Sequence, residues 1–176
     1  TIVLNNDMPN AQFGLAITAS IPVLIERPET LVLGNLRGGS SVVGATTPQT
    51  TWYFGAGNIG PGFDENLVLA NPFPGWINAQ ISYLTTDGTV ITQNVGVPGQ
   101  SRIVVNVNAA LQSKYQATHA TMITATSPIV AERQDFFSTT INGSAVAGST
   151  TVMGTPSAHT SWYLAQGDTT SGHTES

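Results

Sequence analysis

The side chains able to do chemistry in this chain are three histidines, ten acidic residues and a large stock of hydroxyls, with no cysteine. Without a thiol there is no disulfide, no thiolate metal site and no cysteine nucleophile. His119, His159 and His173 show no metal-ligand spacing. Ser-His-Asp sets can be picked from any chain this rich in serine, but no Gly-x-Ser-x-Gly elbow occurs to expose a nucleophile. Gly55, Gly57 and Gly60 spell Gly-x-Gly-x-x-Gly after a strand-like run, yet Pro61-Gly62 follows where a dinucleotide site needs a helix. Asn58, Asp64, Glu65 and Asn66 flank that glycine-rich loop and supply oxygens a calcium ion would accept. A second version of the loop keeps Asp168 and Glu175 but puts Thr174 where Asp64 stands and His173 where Phe63 stands. That change favours turn chemistry, with the glycines setting the backbone. The expectation is no catalytic residue, no cofactor and no metal.

Aromatic and charged residues offer binding chemistry instead. Trp52-Tyr53-Phe54 returns as Trp162-Tyr163-Leu164. Exposed aromatic rings can stack on sugars, but a repeated aromatic string more simply anchors a core or the joint between successive units. Trp76 follows Phe73-Pro74-Gly75 and has no second copy, which makes it the better candidate for a glycan contact. Glu26-Arg27 and Glu132-Arg133 are adjacent within strand-like runs, so each pair points to opposite faces and cannot bridge itself. These four charges are expected to bond across a sheet or across a unit junction, in a structural role. Lys114 is the sole lysine and has no counterpart, so a lysine-based side-chain link in every unit is excluded. Asn142-Gly143-Ser144 is the sole sequon.

The elements that must position these groups are β-strands in a repeated order. Thr51–Gly57 recurs as Ser161–Gly167, at an offset of 110 (162 against 52). Ile17-Thr18-Ala19-Ser20 with Glu26-Arg27 recurs as Ile123-Thr124-Ala125-Thr126 with Glu132-Arg133, at an offset of 106 (132 against 26). Thr1-Ile2-Val3-Leu4-Asn5 echoes Arg102-Ile103-Val104-Val105-Asn106 at 101 (102 against 1). Self-similarity of this kind marks a repeat array, and loops absorb the drift in offset cheaply. The echoes divide the chain into 1–50, the second half of a β-sandwich unit; 51–160, a complete unit; and 161–176, the opening strand of a further one. Strand-like runs are expected at 1–4, 12–19, 22–26, 30–33 and 41–45. The complete unit adds 51–54, 66–71, 77–85, 89–95, 101–107, 117–126, 129–137 and 144–152. Asp87-Gly88 marks a hairpin and Pro98-Gly99 a reversal, and one helical turn at 108–113 would take Asn108 as its N-cap. Seven or eight short strands in such a length give an all-β expectation: immunoglobulin-like antiparallel β-sandwich repeats, one complete unit plus partial units at both ends.

Composition narrows the class further. Charged residues make up 9% of the chain and hydrophobic residues 40%, against about 25% charged in an average protein. Disordered chains are rich in charge and poor in aliphatic residues, so most of this one should fold. An uncharged hydroxyl and amide surface suits an extracellular or cell-surface protein. A net charge of −5 argues against nucleic acid, which demands a basic stripe. No apolar run reaches the roughly 20 residues of a membrane span, and no signal peptide is present, so a secreted protein would be represented in processed or excerpted form. The incomplete ends are complementary in kind, and open strand edges recruit partners. The tail of one copy is therefore expected to complete the head of the next, by covalent continuation in a longer chain or by strand exchange between subunits, building a head-to-tail fibre with Trp162, Tyr163, Leu164, Trp52, Tyr53 and Phe54 as the joint candidates. The alternative is a carbohydrate-binding or adhesion module using exposed aromatics.

The strings Trp52-Tyr53-Phe54-Gly55-Ala56-Gly57-Asn58, Gly62-Phe63-Asp64, Leu67-Val68-Leu69-Ala70-Asn71-Pro72, Val97-Pro98 and Ile129-Val130-Ala131-Glu132-Arg133 resemble those of a family of bacterial cell-surface tandem repeats. Units of that family open on a Trp-Tyr-Phe-Ala-Glu-Gly-like string, pass through a Leu-Leu-Asn-Pro-like strand and carry Ala-Glu-Arg late. The resemblance spans essentially the whole chain. It implies tandem β-sandwich units on secreted or wall-attached proteins and brings no active site with it. Gly55-Ala56 departs from the family's Ala-Glu, so any role of that carboxylate is absent.

Overall fold

The computed structural model describes residues 2–33, 36–111, 118–141, 143–165, 167 and 170. Lys114, Asn142, Asp168, His173, Thr174 and Glu175, the end of the expected 108–113 turn and most of 161–176 beyond Ala165 lie outside them. The elements in chain order are α1 (Leu4–Asp7), β1 (Glu26–Leu33), β2 (Leu36–Val43), β3 (Gln49–Asn58), β4 (Phe63–Asn71), β5 (Ile77–Thr85), β6 (Val90–Val97), β7 (Ser101–Asn106), α2 (Val107–Leu111), β8 (Thr118–Ile141) and β9 (Ser144–Met153). The protein is all-β and mostly antiparallel, with a curled seven-stranded sheet and a separate β1–β2 hairpin.

The curl is built on β8, whose 24 residues would extend to about 80 Å if straight. Its first half pairs with β5 on one side, Ile81 opposite Ile123, and with β3 on the other, Trp52 opposite Ile123. Its second half pairs with β4, Leu69 opposite Ala131, and with β9, Glu132 opposite Met153. β6 extends β5, and β7 extends β4. The handover falls at Ser127-Pro128, between the last β5 partner, Ala125, and Ile129 opposite Gln49. Proline has no N–H to donate, so a bend between two ladders is where it forfeits no bond. The sequence expectation of separate strands at 117–126 and 129–137 is corrected here: the proline bends one strand and does not break it.

The curl brings both halves onto one core. Leu67 and Leu69 from β4, Ile81 and Tyr83 from β5, Ile123 and Ile129 from β8, and Trp52 from β3 form a single buried cluster. Strand alternation supplies it, since Ile77, Ala79, Ile81 and Tyr83 are buried while Asn78 and Gln80 are exposed. The Asp87-Gly88 turn forms as expected: Gly88 takes φ +84° and donates its N–H to the Thr85 carbonyl. The Thr85 hydroxyl and the Thr89 N–H both donate to the Asp87 carboxylate, and together they hold its pKa below the usual value. α2 forms with a different cap. Asn106 accepts from the Ala109 N–H at 2.8 Å, while Asn108 ties α2 to β4 by accepting the Glu65 N–H and donating to the Phe63 carbonyl.

The stretch ahead of β1 departs most from expectation. Residues 4–7 form a short helix where the sequence predicts a strand at 1–4, because Asn6 and Met8 return their N–H groups to Val3 and Leu4 within a local turn. Residues 12–19 and 22–25 belong to no strand, despite their β-type composition, and the first strand begins at Glu26. A strand exists by virtue of a ladder, and no described neighbour supplies one to this stretch. Ser161–Ala165 is likewise outside any strand.

Candidate functional site

The aromatic motif is split by strand alternation. Trp52 and Phe54 point into the core, and the Trp52 indole N–H donates to the Ile129 carbonyl at 2.9 Å, fixing β3 to β8 just past its bend. Gly154 backs both rings closely, with space for a Cβ only 2.9 Å from Phe54 and 3.0 Å from Trp52. Arg133 lies over the Phe54 ring at 5.8 Å. Tyr53 faces the other way, partly exposed, and exchanges both backbone hydrogen bonds with Thr155. Trp52 and Phe54 are thus buried in this chain's own core and leave no surface for a second chain. Trp162, Tyr163 and Leu164 are all exposed, with Trp162 edge-on to His159 at 5.2 Å.

The two Glu-Arg dipeptides meet across their copies. Arg27 from β1 donates to Glu132 of β8 at 2.8 Å, while Arg133 donates to Asp135 at 3.0 Å. Glu26 stays exposed. β2 runs close against β9, and a Cβ on Gly38 would come within 2.6 Å of the Ser149 nitrogen. Asp135 is largely buried, which pushes its pKa up to about 6. Arg133 opposes that shift and the Glu65 carboxylate adds to it.

Trp76 is delivered to the surface by its neighbours. Buried Asn71 donates to the carbonyls of Gly75 (2.6 Å) and Val97 (3.2 Å) and accepts the Phe73 N–H, which holds the Pro72–Gly75 turn. The indole N–H then donates to Asn78 at 3.1 Å, and the ring lies so close over Gly96 that no Cβ could stand there. An open groove of about 630 Å³ runs beside it, lined by Asn78, Gln80, Asn94, Thr124 and Thr126. Gln80 stands opposite both Asn94 and Thr124, and Thr124 opposite Thr51, so one polar row crosses four strands. The groove lining carries amides and hydroxyls and no charged group.

Sequence reasoning missed a buried polar cluster. Glu65 of β4 and His119 of β8 are sealed in the interior, His119 Nε2 lying 3.3 Å from Glu65 Oε1 but out of line for a hydrogen bond. Among the described residues, neither side chain has a hydrogen-bond partner, nor does the neighbouring buried Thr121 hydroxyl. Tyr83 packs edge-on to His119 at 5.9 Å and donates its hydroxyl to Gln93. Burial raises the Tyr83 pKa, and the Glu65 carboxylate raises it further. Gly57 roofs the pair: a Cβ there would lie 2.6 Å from His119 Cε1 and directly against Glu65. A carboxylate beside an imidazole suits proton transfer, but enclosure of both keeps a substrate out. The signals available in sequence were a lone histidine in an alternating strand and a glycine string repeated together with its following glutamate.

The calcium oxygens do not converge. Glu65 faces the interior, Asp64 accepts from Asn106 at 2.7 Å, and Asn58 accepts the Gly60 N–H. Among the described residues, no three His, Cys, Asp or Glu side chains are grouped to hold a metal. No helix there is long and apolar enough to cross a membrane.

No protein-family model matches the chain, and no curated protein matches it. Among solved structures it is similar to Thermotoga maritima 1070, at 16% identity and a TM-score of 0.53, over 61% of this chain and 94% of that one. It also matches the Anabaena sensory rhodopsin transducer at 19% identity and a TM-score of 0.43, over 48% of this chain and 91% of that one. The first likeness supports the fold alone.

Proposed function

We propose that the protein is a structural subunit or segment of an extracellular filament, stalk or surface layer, built from β-sandwich repeats of immunoglobulin-like size that assemble head to tail. One contrast carries the reading. Trp52, Phe54, Ile123 and Ile129 are 2%, 4%, 0% and 0% exposed, whereas their counterparts Trp162, Leu164, Ile17 and Val23 are 63%, 90%, 51% and 54% exposed. The same residue types that close the complete unit's core are left uncovered at both ends. Large apolar side chains left exposed at successive positions of one segment are the usual mark of an interaction site. The hairpins support the repeat. Glu26 pairs with Val43 and Glu132 with Met153, so the step in offset from 106 to 110 is the shortening of one hairpin. The reading assigns no reaction and no cofactor.

Sedimentation of the 176-residue chain over rising concentration tests it. Species growing in steps of the 18.4 kDa chain, undiminished by high salt, are expected because the contact is apolar. Replacing Trp162 and Leu164 together by serine should abolish them. A monomer at every concentration, or a variant that assembles like wild type, overturns the reading.

A second reading, a carbohydrate-binding or adhesion module, is favoured by the Trp76 groove. An exposed indole packed against Gly96 beside an uncharged row of amides and hydroxyls offers an apolar platform with hydrogen bonds to a neutral sugar. Saturable binding to a polysaccharide, lost in Trp76→Ala without assembly being affected, would support it. No retention on any glycan tested would remove it.

A further inference from the structure

Resting on the head-to-tail reading, we propose the register of the joint: Ser161–Leu164 of one copy pairs antiparallel with residues 15–18 of a second copy, Trp162 opposite Ile17. The template is inside the chain. β3 pairs with β8 as Thr51–Thr124, Trp52–Ile123, Tyr53–Met122 and Phe54–Thr121. Carrying β3 forward by its repeat offset of 110, and β8 back by its offset of 106, converts these pairs into Ser161–Thr18, Trp162–Ile17, Tyr163–Ala16 and Leu164–Leu15.

The acceptor segment suits the role better than β8 itself. The core-facing row of β8, His119, Thr121, Ile123, Ile129 and Ala131, becomes Phe13, Leu15, Ile17, Val23 and Ile25, which is apolar throughout. Pro22 stands where Pro128 bends β8, so the segment can turn at the same place before entering β1. The Trp162 indole N–H takes the Val23 carbonyl, as Trp52 takes that of Ile129. The buried polar pair is not reproduced, because Phe13 replaces His119, and the joint is a purely apolar seat.

Register also fixes the pair geometry. Tyr53 directs its N–H and C=O to Thr155, away from β8, so Tyr53–Met122 and, two residues along, Thr51–Thr124 are non-hydrogen-bonded pairs. Such pairs bring Cα atoms to about 4.5 Å, within disulfide reach. Ser161–Thr18 inherits that geometry, and the chain has no native cysteine to interfere. Thr18→Cys and Ser161→Cys are therefore made as separate single variants of the full chain, mixed and oxidised. The register predicts a heterodimer linking one of each, at least tenfold more abundant than the homodimers of either variant alone. It should equally exceed the product of mixing Gly14→Cys with Ser161→Cys, which is four residues, or two hydrogen-bonding repeats, out of register.

Equal linking in the displaced mixture overturns the register, as does failure to link while wild-type chain still sediments as oligomers; both leave head-to-tail assembly standing. A double Thr18→Cys, Ser161→Cys variant that closes within a single chain overturns the second copy as partner. A chain that stays monomeric throughout removes the joint and the functional reading together.

Discussion

At the scale of single residues, Gly57 and Asp135 show how the interior limits substitution. Gly57 is required by its neighbours, since a methyl group there meets the His119 ring and the Glu65 carboxylate. Overpacking of a filled interior costs about 1–3 kcal/mol, and Gly57→Ala should lose that much in urea unfolding. Gly55→Ala, two residues away with nothing within 4 Å of its Cβ, should change stability by less than about 0.5 kcal/mol. Asp135 makes a pH prediction. Its folded pKa of about 6 lies above the ordinary value near 4, so between those two pH values the folded state keeps a proton that the unfolded state has released. Stability contributed by the neutral acid is complete below about pH 4 and is lost as pH rises through 6. Asp135→Asn should therefore be more stable than wild type at neutral pH, by about 1–3 kcal/mol, with the advantage vanishing below about pH 4. Unfolding midpoints across that range check the sign. The Asp-Gly turn was legible in sequence because its hydrogen bonds are local. The Glu65–His119 pair was not, because its members lie half a repeat apart along the chain and only the sheet brings them together.

At the scale of elements, β8 and the two hairpins carry the architecture. The β4, β5 and β7 expectations came close to the observed limits, since alternating burial leaves its mark residue by residue. Continuity of β8 through Pro128 was not legible, because whether a proline breaks a strand depends on whether its missing N–H was needed. The β-type run at 12–19 predicted a strand that is absent, which shows that local composition does not supply the ladder partner. The Arg27–Glu132 pair ties the first hairpin to the second. One end of it is about a third exposed, so its worth is modest. A double-mutant cycle with Arg27→Ala and Glu132→Ala should give a coupling of about 0.5–1 kcal/mol, reduced by salt. A coupling near zero would mean that the hairpins are held by β2 against β9 alone.

At the scale of the whole molecule, a chain with 9% charged residues offers few ion pairs for partner selection. Specificity in the proposed assembly must come from backbone register and the seating of one indole. That is why salt should leave assembly intact and the two tail serine substitutions should end it. The first solved neighbour spans 61% of this chain, while 94% of its own length is covered.

Local alternation, turn residues and internal echoes were enough for the sequence alone to determine that the protein is all-β, where its central hairpin turns, and which residues recur. These features depend on neighbours along the chain. Which copy of each recurring residue is covered was decided only by the tertiary structure. Trp52 and Trp162 have nearly the same local sequence, yet one is enclosed by β8 and Gly154 while the other faces solvent. Burial is a property of what the fold brings alongside, and a strand becomes a strand when another segment accepts its hydrogen bonds.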